Sequence, residues 1–415
     1  MKLSKQQFEL IKELSHTSKN LYNSTLYITR QHFFQVTEFL SYNKAYHEVK
    51  NNENYKTLPS QVSQQTMKVV DRNFRSFFGL LRERKAGNYN RPISIPKYLD
   101  KKGYFVLLFT PAHFRINYEN KTVKFTCKKN LLKKYNLTSF TLNFPHYLNK
   151  DQKIKEIRII PLYKGKFFKL EVVYLNKIDE NSFIETNENC LSIDLGINNL
   201  LTIYDSKNQS SKIIDGKFIK SVNRYFDKEI ANAKSVVEKV NKQKTSRKIQ
   251  KLWQKREDIF SNAFHLISKR LIEYCIINNI SNIIIGYNKE WKQDVNLGTH
   301  NNQNFVQIPY GKLLNYIKYK AQDYNIKVTL IEESYTSKCD ALANEEIKKQ
   351  EEYLGKRIHR GLFLSSTGQV INADVNAAIN IYRKCNLEFF ERRIESSGIV
   401  IVPTKIRPES LANFL

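Results

Sequence analysis

Asp194 ends an otherwise apolar run, Cys190-Leu-Ser-Ile-Asp194, and Asp374 opens another, Asp374-Val-Asn-Ala-Ala-Ile-Asn-Ile381. A carboxylate inside an apolar strand is costly unless a metal ion or a hydrogen-bond donor compensates it. The plainer alternative for Asp194 is a turn aspartate that bonds the backbone before Gly196. The plainer alternative for Asp374 is a helix cap, since Asp is common there. Val375, Ala378, Ile379 and Tyr382 form an apolar face that packs this helix on a sheet and turns Asp374 toward the strand ends, so both roles can coexist. Acids brought to one sheet edge from distant parts of a chain supply the hard oxygen ligands that magnesium prefers. Two such ions, about 3.5–4 Å apart, activate water and steady the leaving oxygen in phosphodiester hydrolysis.

The elements that must position these acids follow from hydrophobic periodicity. Cys190–Asp194, Leu200–Tyr204 and Lys212–Asp215 are predicted strands in quick succession, followed by a long helical stretch at roughly 218–278. A strand at Asn282–Gly286, a helix at Tyr310–Tyr324, a strand at Ile326–Ile331 and a helix at Val375–Arg383 come next. Three strands and then alternating helix and strand is the RNase H-like order, a mixed five-stranded sheet between helices. A doubly wound fold places a helix after every strand, and the run from 190 to 215 leaves no room for that. Upstream, residues 4–85 read as helical from Leu10, Ile11, Leu14 and Leu21 and from Val70, Phe74, Phe77, Phe78 and Leu81, with the polar stretch 42–56 and Pro59 as breaks. A basic loop, RERKAGNYNRP at 82–92, marks a boundary. Short runs at Tyr104–Phe109, Thr122–Thr126, Ile154–Ile160 and Phe167–Tyr174 predict a compact β-barrel or small sheet domain, and 179–189 is an acidic linker. The expected organisation is a multidomain α+β chain: a helical domain at 1–88, a β-barrel domain at 89–180, an α/β domain at 186–385 and a weakly patterned tail at 386–415.

A chain of 415 residues with 41% hydrophobic content can build two or three cores. Its 68 Lys and Arg against 40 Asp and Glu leave a net charge of +28, which a polyanion neutralises best. The excess is spread along the chain, unlike that of a basic tail or a membrane-surface helix. In the stretch 241–256, Lys244 and Lys248, and Arg247, Lys251 and Lys255, stand at i, i+4 and form a basic face opposite Ile249, Leu252 and Ile259. A solvated face is the bland reading; with this net charge, contact with a nucleic-acid backbone is the better one. No run approaches 18 apolar residues and the N-terminus is a polar helix start, so the expectation is no membrane and a cytoplasmic, nucleoid-associated protein. Five scattered cysteines without a CxxC pair read as reduced thiols.

The phrases SHTSKNLYN, LPSQVSQQT, IDLGINNL, NNQNFVQIPY, EESYTSK and INADVNAAINI, in that order, resemble the TnpB (OrfB) proteins of insertion sequences, relatives of type V CRISPR effectors and of Fanzor proteins. The likeness runs from the first helices to about residue 385. It implies a transposon-associated RNA-guided DNA endonuclease that takes a guide RNA and target double-stranded DNA beside a short adjacent motif. It also implies cutting in a RuvC-type site with two Mg2+ ions, while the helical (recognition) and β-barrel (wedge) domains grip the guide–target duplex. Asp194 and Asp374 match two of the family's metal-holding acids.

Two departures follow. The usual second acid ends the fourth sheet strand, where this chain has Gly286; a branch of the family, and Fanzor proteins, carry it on the next strand, where Glu333 matches and Glu332 is its neighbour. Successive strand residues face opposite sides, so one of the two is expected at the metal, and Glu333 is chosen; Glu290 is expected in a loop beside Trp291. Most relatives also carry a four-cysteine zinc ribbon before the last helix, whereas 338–371 offers Cys339 and His359 alone, so no zinc is expected and a metal-free hairpin takes its place. Lys356, Arg357, His359 and Arg360 in it are candidate phosphate contacts. The chain also starts at its first helix, without the short leading strand of many relatives, so the barrel is expected to lack one strand. The glycine at 286 keeps open a nuclease-inactive RNA-guided DNA-binding protein, acting as a repressor; a strand-joining transposase is disfavoured because the matched phrases belong to the accessory nuclease.

Overall fold

The computed structural model describes residues 3–146, 148–175, 183–241, 245–287, 308–359, 361–385 and 403–407. The chain divides into two compact units, Met1–Lys177 and Ile178–Leu415.

The first unit begins with helix α1 (Lys5–Val36), started by a capping box in which Ser4 and Gln7 satisfy each other's backbone N–H groups. Short helices α2 (Tyr42–Val49) and α3 (Glu53–Thr57) occupy the stretch expected as a break, and α4 (Ser60–Lys85) follows Pro59. Strands β1 (Leu107–Phe109), β2 (Phe114–Asn117), β3 (Thr122–Phe125), β4 (Phe140–Asn143), β5 (Lys153–Leu162) and β6 (Phe167–Leu175), with helix α5 (Lys129–Lys134) between β3 and β4, complete it. They form two antiparallel three-stranded sheets, β1-β5-β6 and β2-β3-β4. Small sheets were one of the two expected arrangements; no closed ring of strands, the other, appears among the described residues. Leu10 and Leu14 of α1 share one core with Phe109, Phe125, Phe140, Ile157 and Ile159. The helix thus covers the sheets and removes the apolar surface that closure would otherwise have to bury.

The second unit carries β7 (Cys190–Leu195), β8 (Asn199–Asp205), β9 (Ser210–Asp215), α6 (Lys217–Asn241), α7 (Arg247–Ile277), β10 (Asn282–Gly286), α8 (Tyr310–Gln322), β11 (Lys327–Ile331), β12 (Lys356–His359), β13 (Leu362–Leu364), β14 (Val370–Asn372), α9 (Ala373–Cys385) and β15 (Thr404–Ile406). Its main sheet has the order β11-β10-β7-β8-β9-β15. β7, β10 and β11 are parallel, β8 runs against β7 and β9, and β15 lies parallel to β9. The sheet is mixed, with six strands rather than five: the tail, expected to carry little structure, supplies an edge strand because Ile406 is buried in the same core as Ile214.

Strand alternation decides what each face does. Leu191, Ile193, Leu195 and Ile283 pack under Phe264, Ile267 and Leu271 of α7 and Leu313 and Ile317 of α8. Each fully buried aliphatic side chain there contributes roughly 1.5–3 kcal/mol. The opposite face takes α9, with Val375 and Ile379 against Tyr204, and Ile381 against Ile284. Asp194 lies on this second face, at the end of the sheet where the parallel strands terminate.

Candidate active site

The turn after Asp194 is closed by backbone and by a neighbouring helix. Gly196 N–H donates to the Leu200 carbonyl at 3.3 Å, and the Tyr310 hydroxyl donates to the Gly196 carbonyl at 2.7 Å. The Asp194 carboxyl is therefore not needed to form its own turn. Its pKa is held well above the carboxylate range, first by burial and then by the negative charges of Glu333 and Asp374, with Arg357 opposing the rise.

Asp374 stands in the first turn of α9, but it is not the cap. Asn372 is: its side-chain oxygen accepts from the N–H groups of Asp374 (3.0 Å) and Val375 (3.2 Å). That leaves the Asp374 carboxylate for other partners, the Asn199 amide at 2.7 Å and the Arg357 guanidinium at 3.6 Å.

Glu333 lies two residues beyond the end of β11, half-buried, while Glu332 is exposed. Thr336 ties its carbonyl through a backbone N–H at 3.2 Å and a hydroxyl at 2.8 Å. Burial raises the Glu333 carboxyl to about 7. The side chain lies directly over Gly286: a Cβ there would meet Glu333 Oε1 at 2.6 Å, Glu333 Cγ at 2.7 Å and Ile381 Cδ1 at 2.6 Å. The glycine on β10 is thus the floor that Glu333 covers. Glu290 and Trp291 lie outside the described residues.

As placed, no three His, Cys, Asp or Glu side chains among the described residues form a group that could hold a metal ion. The three acids are near enough for Glu333 and Asp374 to act on Asp194, yet do not close on a common point. Like charges in a desolvated pocket stay apart without a cation between them. By donor chemistry, three carboxylates around one strand end fit magnesium rather than a thiolate-seeking metal.

The segment after Glu333 is held to α9 by side chains that the sequence reading passed over. Asn376, fully buried, donates to the Cys339 carbonyl (2.9 Å) and accepts from Ala341 N–H (3.0 Å). Asn380, also fully buried, donates to the carbonyls of Thr336 (2.9 Å) and Cys339 (2.7 Å). Buried Asp340 gathers Ser365 Oγ (2.8 Å) and Ser366 N–H (2.7 Å), so hydrogen bonds organise the segment between β11 and α9. Two Asn at i, i+4 inside an apolar helix face was the available signal. The insertion itself is a three-stranded antiparallel sheet, β12-β13-β14, rather than a hairpin. Within it Cys339 is buried and His359 exposed. Arg357, half-exposed on β12, reaches the acids. Lys356 is exposed, and Arg360 lies outside the described residues.

Arg247, Lys248, Lys251 and Lys255 are exposed on the first turns of α7, while Ile249, Leu252 and Ile259 face α6; Lys244 lies outside the described residues. A second basic stripe, absent from the sequence reading, runs along α4: Lys68, Arg72, Arg75, Arg82 and Lys85 are exposed. The first three line an open hollow of about 320 Å³ with Ser41, Tyr42, Asn43, Gln65 and Asp71, whose carboxylate pairs with Arg75 at 2.6 Å. Its spacing of three and four residues was the overlooked signal. No helix among the described residues is long and apolar enough to cross a membrane.

Residues 174–292 match the family described as OrfB_IS605, probable transposase, and residues 310–381 match the Cas12f1-like TNB domain. The TnpB-like protein ORF457 of Acidianus two-tailed virus is 24% identical over 407 residues, spanning 90% of this chain and 83% of the viral protein. Among solved structures, the cryo-EM structure of the Cas12f1-sgRNA-target DNA complex aligns with a TM-score of 0.58 at 16% identity, over 91% of this chain and 83% of that one. At that identity the likeness speaks to the fold.

Proposed function

These likenesses support a TnpB-type protein, and from that premise we propose that the chain is an RNA-guided DNA endonuclease that hydrolyses phosphodiester bonds in a RuvC-type site. The observation that carries the reading is that Asp194, partly buried at the end of β7, lies close enough to Glu333 and Asp374, from positions far apart in the chain, to feel their charges. Such a group of acids is unfavourable in a bare fold, and a divalent cation removes the penalty.

In this reading Asp194, Glu333 and Asp374 hold magnesium. Magnesium, when bound, would supply Lewis acidity at the phosphoryl group and lower the pKa of an attacking water. The protein's own groups do the rest. Arg357, paired here with Asp374, is placed to offer its guanidinium to the scissile phosphate, and Asp374 would be among the residues that hold the metal. Asn199 keeps Asp374 oriented. The exposed basic face of α7 offers cations to a nucleic-acid sugar–phosphate backbone without reading its bases, and α4 offers a basic face of its own within the other unit.

One observation favours a second reading. β10 ends in Gly286, which has no side chain to bind a metal, as expected of an RNA-guided DNA-binding protein that acts by occupancy. The test is to purify the chain with its co-purifying RNA and supply matched DNA with magnesium. Metal-dependent product that Glu333→Ala abolishes and Glu332→Ala spares supports the nuclease. Tight target binding without product, at any magnesium concentration, leaves only the occupancy reading.

A further inference from the structure

The α9-facing side of β7 and β8 carries four polar side chains in register: Ser192 opposite Tyr204, and Asp194 opposite Thr202. Directly opposed residues of an antiparallel pair place their side chains on the same face, with Cβ atoms about 4.5–5.5 Å apart. Ser192 is fully buried and spends its hydroxyl on the Ala378 carbonyl at 2.6 Å. Tyr204 packs its ring against Tyr382, 5.6 Å between centroids. Thr202 is as buried as Ser192, 1% exposed, yet its hydroxyl oxygen finds no hydrogen-bond partner among the described residues.

A buried hydroxyl without a partner costs free energy, and valine would fill the same space and suit the strand equally well. Something else must account for the oxygen. The polar group facing it across the strand pair is Asp194. A carboxylate that ligates a cation through one oxygen leaves lone pairs to be satisfied, and ligating carboxylates are characteristically hydrogen-bonded by neighbours that fix their orientation.

We propose that Thr202 is a positioning residue of the acidic site, its hydroxyl donating a hydrogen bond to the Asp194 carboxylate when that carboxylate holds a divalent cation. The inference rests on the reading of Asp194 as a metal ligand. Thr202 touches neither substrate nor cation in it; it orients the group that does. Its neighbour on the far side, Ile213 of β9, is apolar and offers no competing acceptor.

The experiment uses full-length protein with its co-purified RNA, Mn2+ as the probe, and four proteins: wild type, Asp194→Ala, Thr202→Val and Thr202→Ser. Mn2+ binding is followed by electron paramagnetic resonance, and melting is followed without divalent ions. Wild type is expected to show a site that Asp194→Ala removes. Thr202→Val should weaken that site about tenfold or more, and Thr202→Ser should restore it. Without divalent ions, Thr202→Val should melt no lower than wild type, because it discards an unsatisfied hydroxyl; a merely structural threonine predicts the opposite. Unchanged Mn2+ affinity in Thr202→Val, or a clear drop in its metal-free melting temperature, overturns the inference and leaves the reading of Asp194 standing. Absence of any Asp194-dependent Mn2+ site overturns both.

Discussion

Gly286→Ala adds one methyl group to the strand that ends beside Asp194. It should disable cutting without disturbing nucleic-acid binding. The new Cβ would stand 2.6 Å from Glu333 Oε1 and from Ile381 Cδ1, against the 3.4 Å at which ordinary contact begins, so something must yield by about 0.8 Å. Ile381 is fully buried in α9, packed with Ile284 and Cys190, and has little room to retreat. Glu333 is half-buried and sits on a loop, so it is the side chain that moves. Overpacking of this kind costs about 1–3 kcal/mol of stability. With Glu333 in its proposed role as a metal ligand, a displacement close to 1 Å should lower the rate about 10²-fold. The assay is single-turnover cleavage of matched DNA by the RNA-loaded protein in magnesium, with target affinity measured in parallel. Gly286→Glu combined with Glu333→Ala provides the converse, since a carboxylate on β10 can enter the space that Glu333 vacates; the double variant should cut faster than either single one. Wild-type cleavage by Gly286→Ala would refute the idea that Glu333 must lie over a bare backbone.

Glu333 has a folded-state pKa raised to about 7 from an ordinary 4.5, so its protonated form is the one the fold favours. The stability it contributes is complete below about pH 4.5 and lost as pH rises through about 7, a difference of about 3 kcal/mol at most. Urea unfolding at pH 5 and pH 8 without divalent ions should show this loss, and Glu333→Gln should reduce it, leaving the part that the raised Asp194 carboxyl contributes. Arg357→Ala removes the cation beside Asp374 and should slow cleavage while leaving guide RNA affinity unchanged, as read by filter binding. Asn380→Ala deletes two buried hydrogen bonds to the segment following Glu333 and should destabilise the protein by about 2–3 kcal/mol in chemical denaturation. Charge reversal at Lys248, Lys251 and Lys255 together should lower the slope of log affinity against log salt by about 2–3, measured on the RNA–DNA duplex. An unchanged slope would mean that α7 faces solvent.

Much of the second unit could be read from the chain because its signals are local. Asp194 was conspicuous in an apolar strand, Asp374 at a helix start, and three closely spaced strands ruled out a doubly wound sheet. The order of elements followed from periods of two and 3.6 residues. Elements below those windows escaped: α2, α3 and α5 are eight residues or fewer, and β15 is three residues long with Ile406 its buried side chain. Barrel and small sheets both stayed open because short strands look alike in either arrangement; strand pairing and the core that α1 shares with both sheets appear only in the tertiary structure.

The site divides along the same line. Residue type and neighbourhood determined which acids could do chemistry, since the expense of a desolvated carboxylate is visible in one dimension. Which acid turns inward was left to tertiary structure: Glu332 and Glu333 are equivalent in type and adjacent in sequence, and the empty floor at Gly286, one strand away, gives the space to Glu333. The cap at Asn372, the clamps at Asn376 and Asn380, and the hydroxyl of Thr202 opposite Asp194 likewise depend on register and contact. Periodicity says which face a side chain is on; only the assembled sheet and helix decide what stands across from it.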